Sequence, residues 1–367
     1  MVRSVPMAVV KPFRALRYDV AAAGPLATLV APPYDVISDE ERVELRGRSP
    51  HNVVHLTLSD SEAEAARTLA EWRSSGILVE EPPAVWALSQ DYVGPDGVAR
   101  RREGIVGSLK VEPYERGTVL PHERTHRGPL EGRLRLLRAT HTQLEPIFLL
   151  YDGRPPARPP DREPDLEVDG ARLWRLDDPM LVRAFDDKQV LIADGHHRYE
   201  TAVAFHEEEG TPASAQLLVV LVSTQDDGLE IFATHRLFAS SRRLEGAREQ
   251  VDDPIAALHQ LRGSEPQDLD KPVVVEVTRD GAEIVRGESG VLDVQLVDSL
   301  GTDGISYTPD EAEALRRVRQ GETATAYLMR PTRIEDVFAA ARRGEVLPQK
   351  TTYFFPKLIS GLLFQPL

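Results

Sequence analysis

The chain lacks cysteine altogether, since none of its 367 residues carries a thiol. This absence excludes disulfide bonds and thiolate chemistry, and it limits possible metal ligands to histidine and the carboxylates. No window approaches the roughly 18 consecutive apolar residues of a membrane-spanning helix. The N-terminal segment has no long apolar core behind its basic residues, so it does not resemble a signal peptide. We therefore expect a cytoplasmic protein without a membrane partner.

Positive charge is scarce relative to negative charge. The chain holds 44 Lys and Arg against 59 Asp and Glu, which gives a formal net charge of −15. Such a surface as a whole repels nucleic acids and anionic membranes, although a local positive pocket remains compatible with it. We therefore expect no nucleic acid partner. The apolar fraction of 41% is ordinary for a globular protein, so the chain can bury a large core.

The common nucleotide-binding and hydrolase motifs are missing as well. The chain has no G-x-x-x-x-G-K-[ST] loop, no G-x-G-x-x-G after a strand, no G-x-S-x-G elbow and no H-E-x-x-H. If the protein binds a nucleotide, it must therefore use a less common architecture.

Helix and strand patterns are interspersed along the chain. The residue pairs that fit the capping box, a mark of helix starts, are Ser38–Glu41, Ser61–Glu64, Thr308–Glu311 and Thr332–Glu335. The segments that predict strands include 52–58, 147–152, 188–194, 216–223 and 351–357, and 271–287 predicts a β-hairpin. This order favours an α+β (mixed α/β) fold over a doubly wound parallel sheet.

The length of the chain suits two lobes or one elaborated domain, and we favour two lobes. We place them at residues 1–240 and 241–367. The boundary falls in the charged segment 241–254, which we interpret as an exposed connection or a helix.

The segment "VLIADGHHRYETAVAF" (190–205) predicts a strand, a tight turn and a helix. A helix start presents unpaired N–H groups and the positive end of its dipole, and a glycine such as Gly195 lets a ligand approach the backbone. Arg198, in the first turn, can hold a phosphate through two parallel hydrogen bonds. The pattern therefore favours a phosphate site. Its candidate residues are Asp194, Gly195, His196, His197, Arg198 and Thr201.

Two alternatives to a phosphate site remain open from these residues. Zinc ligation by His196 and His197 would require both side chains to face one ion, but adjacent helical residues point about 100° apart. The helical His-x-x-x-His spacing is absent from this segment, so we assign no metal ligands. In the other alternative Asp194 caps the helix, and the histidines are solvated or have partners in the core.

A second cationic segment, 120–148, holds five arginines and three histidines in an otherwise acidic protein. These arginines could not all be buried without partners. We interpret the segment as a second anion-binding element containing Arg133 and Arg138, with His122 and Glu123 as candidates for acid–base catalysis or for positioning Mg²⁺. A solvated helix with scattered ion pairs is the alternative.

Two further segments carry candidate site residues. In 31–41, Asp35 follows a rigid Pro-Pro turn, where it can act as a general base or metal ligand, or merely form the turn. The segment 347–357 surrounds aromatic residues with charged and hydroxyl side chains, so it either completes an anion site or forms an edge strand protected by Lys and Pro. Its candidate anion-binding residues are Lys350, Thr351 and Lys357.

Several long motifs occur in a recognisable order. They are "KPFRALRYD", "VAPPYDVIS", "HERTHRGPLEGRLRLLRAT", "DGHHRYETA" and "LPQKTTYFFPK". From about residue 10 to the C-terminus they resemble a bacterial family of unknown function, DUF1015. The segment "DGHHRYETA" is also similar to the Gly-x-x-Arg-x-x-Ala signature of the ParB/sulfiredoxin-like superfamily, with Gly195, Arg198 and Ala202 at the matching positions. In that superfamily the motif opens a helix and binds nucleotide phosphates, and the free-serine kinases carry a similar Asp-Gly-His-x-Arg stretch.

The resemblance implies a ParB/sulfiredoxin-like core with large insertions in 1–240 and a C-terminal α/β lobe that completes the site. It implies a nucleotide-dependent kinase of a small hydroxylated metabolite, with free L-serine the first candidate and with Mg²⁺ and ATP or ADP as cofactors. Asp35 would be the catalytic carboxylate, since it lies early in the chain as the corresponding carboxylate does in those kinases. The alternatives are a non-catalytic nucleotide-binding regulatory protein and a phosphohydrolase that uses the same pocket. Nothing in the sequence indicates an oligomeric state.

Overall fold

The structure is a computed structural model that describes residues 7–123, 127–263, 271–288 and 290–367. Its α-helices in these ranges are α1 (Val20–Ala23), α2 (Asp39–Arg48), α3 (Val54–Thr57), α4 (Glu62–Ser74), α5 (Arg127–Thr140), α6 (His196–Glu209), α7 (Pro254–Arg262), α8 (Asp293–Asp298), α9 (Glu311–Gln320) and α10 (Ile334–Arg342). Short 3₁₀ helices occupy Leu26–Thr28, Tyr34–Val36, Tyr114–Arg116 and Pro179–Phe185.

The strands lie between and after these helices. They are β1 (Val10–Lys11), β2 (Leu16–Tyr18), β3 (Leu78–Glu80), β4 (Val85–Val93), β5 (Ala99–Lys110), β6 (Val119–Leu120), β7 (Thr142–Gln143), β8 (Ile147–Tyr151), β9 (Leu166–Val168), β10 (Ala171–Leu176), β11 (Val190–Asp194), β12 (Gln216–Ser223), β13 (Ile231–Phe232), β14 (His235–Phe238), β15 (Ala247–Val251), β16 (Val273–Thr278), β17 (Gly281–Arg286), β18 (Ile305–Thr308), β19 (Thr325–Leu328), β20 (Tyr353–Phe354) and β21 (Gln365–Pro366). The mixed α/β class predicted from the sequence is confirmed.

The chain forms two compact units. The first comprises Met1–Gly94, Val98–Leu229 and Pro356–Leu367, and the second comprises Pro95–Gly97 and Glu230–Phe355. The C-terminal segment after residue 355 therefore belongs to the first unit, whereas sequence analysis placed it in the second lobe. None of the helices in the described ranges is long and apolar enough to cross a lipid bilayer.

A nine-stranded mixed sheet organises the first unit. Its order is β6-β11-β8-β12-β5-β4-β10-β9, and β1 also pairs with β5. β8 runs parallel to β12 and antiparallel to β11. Every residue of β8 and all but the first of β12 are buried, which explains why both segments are continuous apolar runs without alternation. The candidate site lies at the C-terminal end of β11, where Asp194 is followed by helix α6.

Helix α5 lies beside α6 in this unit. Leu134 and Leu137 of α5 form a buried cluster with Phe205 of α6. Arg135 and Arg138 of the same helix are largely exposed. The helix thus buries its leucines, whereas these two arginines pair with Glu62 and Glu208 at the surface.

The second unit contains a six-stranded sheet of order β15-β17-β16-β19-β14-β18. The hairpin predicted in 271–287 is confirmed, because β16 and β17 pair with Thr278 opposite Gly281. Our interpretation of 241–254 as a connection or helix is wrong in part, since 247–251 forms β15 at the edge of the sheet. Charged residues are frequent on edge strands, which explains why this strand has a polar sequence.

Two strand predictions need correction. The segment 52–58 contains helix α3, not a strand, and only Tyr353–Phe354 of 351–357 pairs in a sheet. The side-chain oxygen of Asn52 accepts a hydrogen bond from the backbone N–H of Val54 at 3.0 Å and so supports the helical turn. A short apolar run does not distinguish a buried helix from a buried strand. The side-chain amide of Asn52 also donates hydrogen bonds to the carbonyl oxygens of Thr28 and Val30, which anchors the turn against a distant segment.

The helix starts predicted from capping boxes are observed in the first unit, but the observed starts differ from the predicted ones in the second unit. Ser38 forms the complete capping box, and the hydroxyl of Ser61 accepts the N–H of Glu64. In the second unit the N-cap residues are Asp310 and Arg333, so the capping boxes predicted there are wrong. Asp310 caps α9 because its carboxylate accepts the N–H of Glu313, a role that aspartate fills as well as threonine.

Candidate functional site

The predicted strand, turn and helix at 190–205 are confirmed. β11 ends at Asp194, Gly195 follows with φ 98° and ψ 30°, and α6 begins at His196. The N-cap residue of α6 is Gly195, which has no side chain that could accept a hydrogen bond from the first N–H groups of the helix. Glycine is required at the turn, because a Cβ at Gly195 would lie 2.7 Å from Cγ2 of Ile147.

Asp194 binds two cations and does not cap the helix. Its Oδ1 accepts a hydrogen bond from Nζ of Lys357 at 2.5 Å, and its Oδ2 accepts one from Nη2 of Arg198 at 2.7 Å. Burial by itself raises the pKa of Asp194, but Lys357 and Arg198 together outweigh that effect and hold the pKa below its usual range. The alternative that Asp194 is a helix cap is therefore wrong.

The guanidinium of Arg198 is held in a fixed orientation. Besides its bond to Asp194, its Nη1 donates a hydrogen bond to the backbone carbonyl oxygen of Pro146. These two bonds engage two of the five N–H donors that arginine has. The side chain is only 10% exposed, and it lines a small cavity of about 40 Å³ with Arg133, Glu145 and Thr201. The Thr201 hydroxyl donates to the carbonyl oxygen of His197 within the helix.

Arg102 is a buried residue of the site that sequence analysis missed. Its Nη2 donates hydrogen bonds to the side-chain oxygen of Gln90 at 2.6 Å and to the carbonyl oxygen of Pro356 at 2.7 Å. Burial lowers its pKa to about 10. Because Pro356 immediately precedes Lys357, Arg102 anchors the segment that brings Lys357 to Asp194. No pattern in the sequence marks an arginine inside a strand as buried.

Glu145 is a second residue that sequence analysis missed. Its Oε1 accepts hydrogen bonds from the backbone N–H of Tyr34 at 3.0 Å and from the hydroxyl of Ser360 at 2.8 Å. It thereby fixes the 3₁₀ turn that carries the exposed Asp35. Burial lowers the pKa of Arg198, but the carboxylates of Asp194, Glu145 and Asp35 outweigh it and raise that pKa. The structure thus brings Asp35 into the electrostatic neighbourhood of Arg198.

The two arginines predicted on α5 have different positions. Nη1 of Arg133 donates to the carbonyl oxygen of Thr57 at 2.9 Å, and its guanidinium lies 3.9 Å from the ring centre of Tyr34. Arg138 instead forms a two-bond ion pair with Glu208 on the exposed face of the helix. The structure therefore places Arg133 at the cavity and does not place Arg138 there. Arg124 of this segment lies outside the described residues.

His122 and His196 form a buried pair. Their ring centres lie 4.8 Å apart in an edge-to-face arrangement, and the backbone N–H of His122 donates to Nε2 of His196 at 3.4 Å. Burial lowers the pKa of His122 to about 4 and holds that of His196 well below its usual range. Both rings are therefore neutral at pH 7. A carboxylate oxygen of Glu123 lies 3.9 Å from Nε2 of His122, while His197 is half-buried.

Burial of these histidines predicts a loss of stability in mild acid. In the unfolded chain a histidine binds a proton below a pKa of about 6.5, whereas folded His122 binds one only below about 4. Between these values the unfolded state holds more protons, so the free energy of unfolding falls as the pH falls from about 6.5 to about 4. We expect the free energy of unfolding of His122→Gln, measured by urea titration, to depend less on pH in this range. If it depends on pH as steeply as that of the wild type, His122 is not the cause of the acid sensitivity.

Lys350 and Thr351 belong to the second unit. Lys350 is exposed with φ 58°, a left-handed conformation. The hydroxyl of Thr351 donates to the carbonyl oxygen of Pro348 at 2.6 Å, and the side chain is buried. This hydroxyl therefore stabilises a local turn.

Among the residues that the structure describes, no group of three or more His, Asp or Glu side chains is arranged to hold a metal ion.

The fold and the site define a mixed α/β protein with a glycine-led helix start beside a largely buried Arg–Asp–Lys cluster. The model of a family described as "Protein of unknown function (DUF1015)" matches residues 10–273, so the chain belongs to this family. A comparison with curated proteins finds no match.

Solved structures show weak likenesses. A free serine kinase in complex with AMP is 17% identical, with a TM-score of 0.38, and the match covers 67% of this chain and 89% of that one. A conserved hypothetical protein from Pyrococcus furiosus is 16% identical, with a TM-score of 0.34 and coverage of 67% and 93%. SbnI with a C-terminal truncation, from Staphylococcus aureus, is 12% identical, with a TM-score of 0.38 and coverage of 68% and 85%. TM-scores this low carry no argument about activity.

Proposed function

We propose that the chain is a nucleotide-dependent phosphotransferase that acts on a small hydroxylated metabolite, with free L-serine the first acceptor to test. The observation that carries this proposal is the glycine-led start of α6 beside Lys357 and Arg198, both held in place by the largely buried Asp194. The family resemblance of "DGHHRYETA" to a nucleotide-phosphate motif agrees with it.

The charges of this cluster suit an anion. Two cations face one carboxylate, so the Lys357–Asp194–Arg198 group carries one net positive charge within a largely buried setting. The first N–H groups of α6 add the positive end of the helix dipole. A phosphate at this point would accept hydrogen bonds from the backbone N–H groups. Arg198 and Lys357 would offset its negative charge, so the phosphate itself would not be an unpaired buried ion.

The transfer step needs an acceptor base. The acceptor hydroxyl would attack the terminal phosphorus of ATP or ADP, the bond to the nucleotide oxygen would break, and the hydroxyl proton would pass to a carboxylate. Asp35 is our first candidate because it is exposed, lies near Arg198 and is carried on a turn fixed by Glu145. Glu123 is the second candidate. Mg²⁺ bound with the nucleotide would supply charge neutralisation on the phosphate oxygens, and such ions need only one or two protein carboxylates.

The direct test is product formation. Purified full-length protein is incubated with Mg²⁺, L-serine and either ATP or ADP, and phosphoserine is measured by mass spectrometry. We expect phosphoserine to appear with one donor and to disappear when Mg²⁺ is chelated. Nucleotide binding without transfer to serine, other amino acids or sugars would favour a regulatory protein, and release of phosphate from a phosphorylated metabolite would favour a hydrolase.

Matched lysine variants connect the activity to the site. Lys357→Met removes one of the two cations that contact Asp194, whereas Lys110→Met removes an exposed lysine that is paired with Glu112 at the end of β5. We expect only Lys357→Met to weaken nucleotide binding. Asp35→Asn and Glu123→Gln are expected to separate the base candidates, because loss of the base lowers kcat and leaves nucleotide affinity unchanged.

A further inference from the structure

A second cleft lies wholly within the second unit and has no part in the proposed phosphate site. Its volume is about 330 Å³, and its walls come from 290–295, from 330–333 and from α10 with the turn that follows it. This volume falls at the lower end of the range of roughly 300–1,000 Å³ that is typical of small-molecule sites. The cleft is therefore large enough for a small metabolite.

The most buried charges of the cleft form a rigid pair. Arg330 and Asp293 are 7% and 10% exposed, and two hydrogen bonds of 2.8 Å join them. Nη2 of Arg330 also donates to the carbonyl oxygen of Lys271, and Oδ1 of Asp293 also accepts the N–H of Val273. A buried ion pair of this kind adds little net stability. It does place two fixed and opposite charges in the wall of the cleft.

The other charges of the cleft are paired but accessible. Arg333 makes two hydrogen bonds, of 2.7 and 2.8 Å, to Asp336, and these side chains are 38% and 27% exposed. Arg343 pairs in the same way with Glu345. Ion pairs exposed to water contribute little free energy, so a ligand can replace either partner at small expense. Arg333 is also the N-cap residue of α10.

We propose that this cleft binds a small zwitterion, a free α-amino acid in chemical class. Among the residues that the structure describes, its lining contains three arginines and three carboxylates, so a ligand without net charge leaves these charges balanced. The ligand carboxylate would take the place of Asp336 at Arg333, and the ligand ammonium would pair with the carboxylate that is released. A simple anion would offer no ammonium to that carboxylate, whereas a zwitterion supplies a partner to both members of the pair. Ala339 and Leu347 provide the apolar surface for the ligand side chain.

Calorimetric titration of the full chain tests this site. The probes are L-alanine, L-leucine, L-serine, L-glutamate and L-lysine, and propionate and butylamine serve as analogues with only one of the two charges. We expect at least one amino acid to bind and neither analogue to do so. Absence of binding by all five amino acids, or equal binding by propionate or butylamine, would overturn the proposal.

Matched variants assign the binding to the cleft. Arg333→Gln is expected to weaken binding about tenfold or more, because a hydrogen-bonded charge partner is lost. Arg316→Gln is the control, since Arg316 forms the same kind of two-bond pair, with Glu313, on α9 outside the cleft. Ala339→Leu leaves all charges in place, and we expect it to block binding by filling the cleft. Unchanged binding in both Arg333→Gln and Ala339→Leu would refute the assignment.

This site is distinguishable from the acceptor site of the proposed kinase. Binding to the cleft should persist in Arg198→Ala, which alters only the first unit, and phosphoserine formation should persist in Arg333→Gln. Amino-acid binding that disappears in Arg198→Ala and survives in Arg333→Gln would belong to the acceptor site and would overturn the cleft proposal.

Discussion

Arg198→Ala is expected to lower phosphotransfer about 100-fold or more, since removal of one fixed donor to a reacting oxyanion typically has an effect of that size. The effect is large because the guanidinium is already oriented by Asp194 and by the carbonyl oxygen of Pro146. Binding therefore requires no further ordering of this side chain. The measurements are the initial rate of phosphoserine formation and the nucleotide dissociation constant.

Arg138→Ala is the matched control for this prediction. Arg138 also forms a two-bond pair with a carboxylate, but its partner is Glu208 on the exposed face of α5 and α6. We expect this variant to retain the wild-type rate. Arg198→Lys keeps the charge but loses the planar donor geometry, so its rate of phosphoserine formation should lie between those of the wild type and Arg198→Ala. Equal activity of Arg198→Ala and Arg138→Ala would show that α6 does not bind the transferring phosphate.

Loss of activity in Arg198→Ala must be separated from loss of structure. Without Arg198, Asp194 keeps Lys357 as its single cation partner. The buried ion pair is therefore reduced but not eliminated, and we expect the folded state to persist. Urea unfolding of both arginine variants provides the check, because an inactive variant that remains folded at the assay temperature has lost function alone.

Gly195→Ala is expected to destabilise the protein by about 2–5 kcal/mol, the sum of left-handed strain and overpacking. Gly195 has φ 98°, and an added Cβ would lie 2.7 Å from Cγ2 of Ile147, a residue of the buried strand β8. Because Ile147 is fully buried in the sheet, it has little room to move. The free energy of unfolding, measured with urea, gives the size of the loss.

Gly210→Ala provides the control at the other end of the same helix. Gly210 also has a left-handed conformation, with φ 64°, but no atom lies within 4 Å of the position that its Cβ would take. This variant should lose only the backbone part, about 1–2 kcal/mol. If both variants lose the same free energy, close packing of Gly195 against Ile147 is not what requires glycine at the site.

The sequence predicted the local elements of the site because their causes are local. The apolar run before Asp194, the Asp-Gly turn and the helical spacing after it specify strand, turn and helix within one short segment. The same holds for the hairpin of β16 and β17 and for the capping box at Ser38. The segment at 52–58 shows the limit, since its apolar pattern fits a strand and the side chain of Asn52 favours a helical turn.

The residues that pair with the predicted site residues could not be identified from the sequence, because they are distant in the chain and are brought together only by the fold. Asp194 resembles a helix cap in sequence, yet it binds Lys357, which lies 163 residues further on. Arg138 and Arg133 are five positions apart on one basic helix, yet one is paired in solvent and the other lines a cavity. Glu145 carries no sequence pattern at all.

The sequence by itself determined a mixed α/β chain without thiol chemistry and a glycine-led helix start followed by Arg198. It determined these features because composition and short-range spacing act within a few residues. Only the tertiary structure decided that Asp194 holds Arg198 and Lys357 together, and that Glu145 fixes the turn carrying Asp35. These choices follow from the burial of charge, because a buried carboxylate or guanidinium requires partners and the fold alone determines which partners lie within reach.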